Sequence, residues 1–343
     1  MSRRYTIVRD ELSQSVIQAA QSGRKMKRLS GSLAKLHVSD IQLHGREDDL
    51  KLLRCKLREL KTGVAGGNDN NKNKEQQTCA AATTTSLPEI VLISGISGTG
   101  KTALVMKGLR DPAENMGMAF VGGKFDLNNN ALPLSAFVDA MSSLTKNVMA
   151  GVKAQEIRAG ISNAFGKEEI LMLARALPGC EELFDSDVQG ISQQNLFGEA
   201  EDASKQQHYG KEAVGRLQYA IRGLLKVICA NLRGVVLFID DLQWCDTATL
   251  DLLKSISLDA GIPSLLIAGA YREDEVPDFH PLKLQMREKQ QVGIDITEIK
   301  IGNLSPENVK SLVAEVLGME DNEGDVETLA MTVHKKTEGN VFF

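Results

Sequence analysis

Aromatic residues are scarce in this chain of 343 residues, at 4%, and Trp244 is its one tryptophan. Just past an apolar run, that indole reads as a packing residue rather than a base-stacking one. Five cysteines (Cys55, Cys79, Cys180, Cys229, Cys245) show no CxxC spacing and no histidine partners. That excludes a zinc site and a disulfide framework and favours a reducing compartment. No apolar run is long enough to span a bilayer, and the first residues lack the succession of a secretory signal. The expectation is an intracellular, cytoplasmic protein with no membrane partner. GRKMKR, Gly23 to Arg28, is read as a solvated cluster, with a nuclear address as the alternative.

Strong charge of either sign is also missing. A net charge of -5 gives no general pull toward nucleic acid or anionic membrane. Its distribution is uneven: residues 1–40 hold eight Arg or Lys against three acids, whereas no basic residue lies between Arg175 and Lys205. With 42% hydrophobic and 25% charged residues the composition is that of a globular protein, long enough for two domains or one large domain with a satellite.

Residues 46–61 place Leu50, Leu53, Leu57 and Leu60 at helical spacing, and the following stretch is poor in large apolar residues. From Leu87 onward apolar runs alternate with helical patterns: IVLIS (90–94), MAFVGGKFD (118–126), VVLFID (235–240) and SLLIAGAYR (264–272), with a further strand at ITEIKI (296–301). Apolar continuity predicts strands covered on both faces, hence an α/β fold with a parallel sheet between helices. Residues 134–232 read as mainly helical, ending in a stripe of Val214, Leu217, Ile221, Leu224, Leu225, Ile228 and Leu232. Ser305 as cap and Pro306 at the first helical position open a pair of C-terminal helices, the second running into Gly339.

The expected division follows. Residues 1–40 form a basic extension, 41–61 a leading helix and 62–87 a low-complexity loop. Residues 88–295 form a phosphate-binding core with a helical insertion near 134–210, and 296–343 a small helical lid.

Two motifs carry chemistry. GISGTGKT, Gly95 to Thr102, follows one strand and precedes a helix, and fits G-x-x-x-x-G-K-[ST]. Its glycines let backbone N–H groups of Gly95, Ile96, Ser97, Gly98, Thr99, Gly100, Lys101 and Thr102 line an anion cradle at a helix start. Lys101 supplies a point charge to outer phosphates, and Thr102 a hydroxyl for magnesium. The second motif is GVVLFIDDLQWCD, Gly234 to Asp246, where five large apolar residues run into two carboxylates. Adjacent acids at the end of a buried strand need compensation. Magnesium supplies it at Asp240, leaving Asp241 to orient the attacking water. Arg272 closes the fourth strand, where it senses a terminal phosphate or pairs with Glu273, Asp274 or Glu275.

With these residues in hand, the chain from about Leu43 to Phe343 resembles the P-loop ATPases of the AAA+ and STAND group, specifically their origin-recognition-like AAA ATPase module. LHGREDDLKLL looks like that family's leading motif, which implies base-side contacts at Gly45 and Arg46. GISGTGKT is similar to its Walker A loop, VVLFIDDLQWCD to its Walker B strand and GAYREDEV to its sensor strand; VGGKFD and TEGNVFF look like further landmarks. The resemblance implies ATP and Mg2+ as cofactors, and catalytic roles for Lys101, Asp241 and Arg272. Two departures are Val341 in place of the family's proline and Asp241 where fast hydrolases carry glutamate. In related proteins a winged-helix domain and effector regions follow the terminal motif, so the resemblance leads one to expect a fragment or a truncated gene model.

The expected function is an ATP-binding protein, a slow Mg-dependent ATPase acting as a nucleotide-controlled switch, with ATP/ADP as ligands and protein partners or self-association as output. The alternatives are a DNA-associated ATPase using the basic amino terminus, and an ATP-binding scaffold without significant hydrolysis.

Overall fold

A computed structural model describes residues 42–62, 87–125, 133–177, 183–184, 203–319 and 324–341. The basic extension, the low-complexity loop, GRKMKR, most of the acid-rich stretch, Asp126 and the final two phenylalanines lie outside the described residues. Among the described residues the chain divides into two compact units, one of 49–95 and 105–300, the other of 42–48, 96–104 and 301–341.

The larger unit is built on a five-stranded parallel sheet: β1 (Glu89–Gly95), β2 (Ala119–Lys124), β3 (Val235–Asp240), β4 (Leu265–Arg272) and β5 (Ile296–Lys300), in the order β2-β3-β4-β1-β5. All six residues of β3 are buried, as are six of the seven in β1, because helices cover both faces of the sheet. The α/β architecture read from the apolar runs is the observed one. β2 is shorter than the run that suggested it: it ends at Lys124, although the Phe125 N–H still bonds the Asp240 carbonyl of β3 at 3.2 Å.

Of the helices, α1 (Glu47–Thr62) buries Leu53, Leu57 and Leu60, the stripe read from their spacing. After β1 come α2 (Lys101–Val105), a π-turn at Met106–Arg110 and α3 (Asp111–Asn115). The region between β2 and β3 holds α4 (Ser135–Met149), α5 (Ala154–Ala164), α6 (Lys167–Ala176) and the long α7 (Ala203–Asn231). On α7, Leu217, Ile221, Leu224, Leu225 and Ile228 are buried in one core with Phe137, Ile157, Leu173 and the sheet. Helix α8 (Thr247–Ser257) follows β3, and α9 (Pro281–Gln291) follows β4.

The smaller unit contains α10 (Pro306–Leu317) and α11 (Gly324–Thr337), packed through Leu304, Val309 and Ala330. The Ser305 hydroxyl caps α10 by accepting from the Asn308 N–H at 3.3 Å, and Pro306 occupies its first turn.

Neighbouring glycines on β2 face different constraints. A Cβ on Gly123 would lie 1.9 Å from the Ala136 carbonyl oxygen in the first turn of α4, whereas one on Gly122 would meet nothing closer than 3.5 Å. Backbone does not yield as a side-chain tip does. Gly123→Ala is expected to destabilise the protein by at least about 2 kcal/mol and Gly122→Ala by much less, as read by chemical denaturation of the two variants.

Lys289 on α9 is almost fully buried, beside a hollow lined by Leu253, Leu282, Met286 and Ile296. Burial, reinforced by the like charge of Lys254, lowers its amine to about 8. A folded value below the unfolded one means that the unfolded chain binds more protons between about pH 8 and about pH 10.4. Below that window both states are charged and the burial penalty is complete. Lys289→Met is therefore expected to raise stability by on the order of 1–3 kcal/mol at neutral pH, the gain shrinking as pH climbs through the window, in denaturation series at stepped pH.

Candidate nucleotide site

The loop that leaves β1 belongs to the smaller unit, and its carbonyl oxygens are held from several sides. The Lys101 amine donates to the Ile96 carbonyl at 2.7 Å, and the Thr99 hydroxyl to the same oxygen at 3.0 Å. The Asn340 amide donates to the Ser97 carbonyl at 2.8 Å. The Arg46 guanidinium donates to the Thr99 carbonyl at 3.4 Å and also to Gly302 O.

A planar trans peptide turns its N–H opposite to its C=O, so pinning these three oxygens aims the N–H groups of Ser97, Gly98 and Gly100 the other way. Successive N–H groups on one side make an anion nest. Gly98 and Gly100 take positive φ, +83° and +92°, which only glycine adopts readily. The Leu104 N–H then bonds the Gly100 carbonyl at 2.9 Å, opening α2 directly behind the nest. Lys101 is buried and Thr102 exposed at that helix start.

Gly45 and Arg46 hold the loop's surroundings from the amino-terminal side. Gly45 has φ +68° and lies flat against the Asn308 side chain, with no room for a Cβ. His44 Nε2 pairs with Glu315 of α10 at 2.5 Å. At the other end Gly339, φ +78°, lets the chain turn so that its carbonyl accepts from Leu304 N–H at 2.8 Å, which sets Asn340 on the loop. Asn340 escaped the sequence reading, whose only pointer was its place within TEGNVFF.

The two acids lie at the carboxyl end of β3 in the larger unit. Both are buried: Asp240 accepts the Asp241 N–H at 3.0 Å, and Asp241 adopts a left-handed backbone with φ 55° and ψ 46°. Its carboxylate is well supplied with partners. Oδ2 pairs with Lys124 Nζ at 2.8 Å, while Oδ1 accepts from Gln243 Nε2 at 3.0 Å and faces Arg272 Nε at 3.7 Å. Cationic and amide partners thus offset the repulsion between the adjacent acids.

Of the two readings offered for Arg272, the structure shows the ion pair. Its Nη1 pairs with Glu275 at 2.7 Å, its guanidinium covers the Trp244 ring at 5.0 Å, and in the sheet register it lies beside Gly95, the first residue of the phosphate loop. Trp244 is half-buried against the core under that cation. Cys245 beside it is a poor nucleophile, because burial, aided by Asp246, pushes its thiol up to about 12. Asp246 closes the motif by capping α8, accepting the Thr249 N–H at 2.8 Å, and by holding Leu134 N–H at 3.2 Å. Lys124 and Gln243 also went unassigned from sequence, since nothing in a lone lysine or amide tells which carboxylate it will meet.

A five-stranded parallel sheet flanked by helices, with a glycine-rich anion nest after β1 and paired acids ending β3, defines a P-loop NTPase-like protein. The chain belongs to the AAA ATPase domain family, whose model matches residues 76–267, more than half of its length. It is 27% identical over 172 residues to hybrid signal transduction histidine kinase G of Dictyostelium discoideum, a match covering 48% of this chain and 4% of that one. Among solved structures it is similar to the Aeropyrum pernix ORC1 protein in complex with DNA, with TM-score 0.42 and 14% identity over 88% of this chain and 58% of that one. A Walker-type ATPase of Pyrococcus abyssi gives TM-score 0.42 and 10% identity, covering 88% of this chain and 68% of that one.

If the Asn340 amide shapes the nest, its loss should weaken nucleotide binding without unfolding the protein. Asn340→Ala is expected to raise the Kd for ATP by about three- to tenfold, the equivalent of one hydrogen bond, in a titration with a fluorescent ATP analogue and with Tm measured in parallel.

Proposed function

We propose that this chain is an ATP-binding, slowly hydrolysing Mg-dependent ATPase that acts as a nucleotide-controlled switch. The observation that carries this reading is the tie between Asn340 and Ser97, 2.8 Å, which makes the phosphate loop part of the same compact unit as α10 and α11. A ligand in the nest competes for Lys101, now bonded to the loop's own carbonyl, and so acts on a loop that the C-terminal helices also hold. Differential affinity for two arrangements of that loop is what a switch requires.

Thr102 and Asp240 offer hard oxygen donors of the kind magnesium accepts, and they are the residues proposed to hold it. When bound, the ion neutralises charge developing on the outer phosphates. Asp241 is assigned the orientation of the attacking water. Its engagement with Lys124 and Arg272 supports slow rather than rapid turnover, and it equally favours the second reading, an ATP-binding scaffold that does not hydrolyse.

Isothermal ATP titration and phosphate release separate these readings. Lys101→Ala is expected to abolish detectable ATP binding, while Asp241→Asn keeps the parent affinity and lowers hydrolysis about a hundredfold. Equal ATP affinity in Lys101→Ala and the parent would overturn the site. Parent turnover well above roughly one per second without a partner would overturn the switch. Tight binding with no phosphate release would select the scaffold.

A further inference from the structure

Gln243 is buried and makes three bonds whose directions are fixed by chemistry. Its Oε1 accepts the Arg272 N–H at 3.1 Å, and a backbone N–H can only donate. The amide is therefore oriented with Nε2 toward Asp241 Oδ1, 3.0 Å away. Its own carbonyl meets His280 Nε2 at 3.1 Å. His280 Nδ1 accepts the Leu282 N–H at 3.2 Å, so the ring proton sits on Nε2 and donates to Gln243. Two backbone N–H groups, at Arg272 and Leu282, thereby set the polarity of the whole chain of bonds.

From this geometry we infer that Gln243 is a positioning residue for Asp241. It fixes one carboxylate oxygen relative to the last residue of β4, the residue that lies beside Gly95 in the sheet. The inference rests on the reading of Asp241 as the water-orienting acid. The carboxylate stands in a left-handed turn between opposed attractions, with Lys124 from β2 on Oδ2 and Arg272 from β4 near Oδ1. The charged groups bearing on it are those two cations and neighbouring Asp240, with Glu275 acting through Arg272 and His280 through Gln243. Lys124 is half-exposed and reaches Asp241 on a long flexible stem. Gln243 is the buried neutral donor that holds the carboxylate plane when that stem moves, leaving Oδ2 to accept from water.

The test uses the full chain and three measurements. Gln243→Glu keeps the shape and the acceptor toward Arg272 but loses the donor toward Asp241. It is expected to bind ATP within about twofold of the parent while kcat falls on the order of tenfold to a hundredfold at about pH 8. The ratio of variant to parent kcat should then recover toward about pH 5.5, because burial and the adjacent Asp241 carboxylate raise the introduced carboxyl above the usual glutamate range, so that it gains a proton and can donate. Gln243→Leu should lose kcat without that recovery.

Unchanged kcat in a folded Gln243→Leu, or a loss in Gln243→Glu that acid does not relieve, would overturn the proposal. The third measurement needs no turnover: the Gln243 side-chain amide resonances in a nitrogen-15 correlation spectrum should exchange slowly and shift in Asp241→Asn. If the parent releases no phosphate, the hydrolysis reading fails while the resonances still decide. Resonances that do not move would refute the Gln243–Asp241 tie.

Discussion

The candidate nucleotide site depends on the rigidity of the peptide plane. Three loop oxygens are bonded, to Lys101 and Thr99, to Asn340 and to Arg46, and each bond fixes the direction of the N–H across its peptide plane. An anion nest built in this way is preorganised, since much of the ordering is done before a ligand arrives. Two of the groups bonded to the loop come from segments far away in sequence.

The paired acids show the same economy by different means. Desolvation and repulsion oppose two buried carboxylates in a row, and the structure answers with one lysine, one arginine and one amide around Asp241. Arg272 serves more than one partner at once: it faces Asp241, pairs with Glu275 and covers Trp244. A cation so engaged contributes direction more than free charge, because its planar fork fixes where each partner stands. Lys124 differs in having its side chain 51% exposed, which makes it the replaceable member of the set.

Much of this was legible in the residues. Long apolar runs ending at turn or acidic residues marked the strands to within a residue or two, since a parallel strand buried on both faces tolerates little else. The glycine-rich loop was legible because its steric demands are local. Less legible was everything that depends on which distant groups meet. Asn340 reaches Ser97 across 243 positions, and no local pattern encodes that pairing. Gln243 looked like an ordinary residue of a short turn until the Arg272 N–H fixed its amide. For Arg272 the sequence posed a choice between sensing a terminal phosphate and an ion pair with a following acid, and the folded chain shows the pair with Glu275.

The distance along the chain between Ser97 and Asn340 carries a consequence for biosynthesis. The ribosome releases the glycine loop long before the asparagine that shapes it, and domains fold as their residues emerge. A nascent chain can therefore assemble β1, β2 and β3 while its Ser97 carbonyl still lacks that amide. The contact at Ser97 therefore waits until Asn340, 243 positions further along, has left the ribosome.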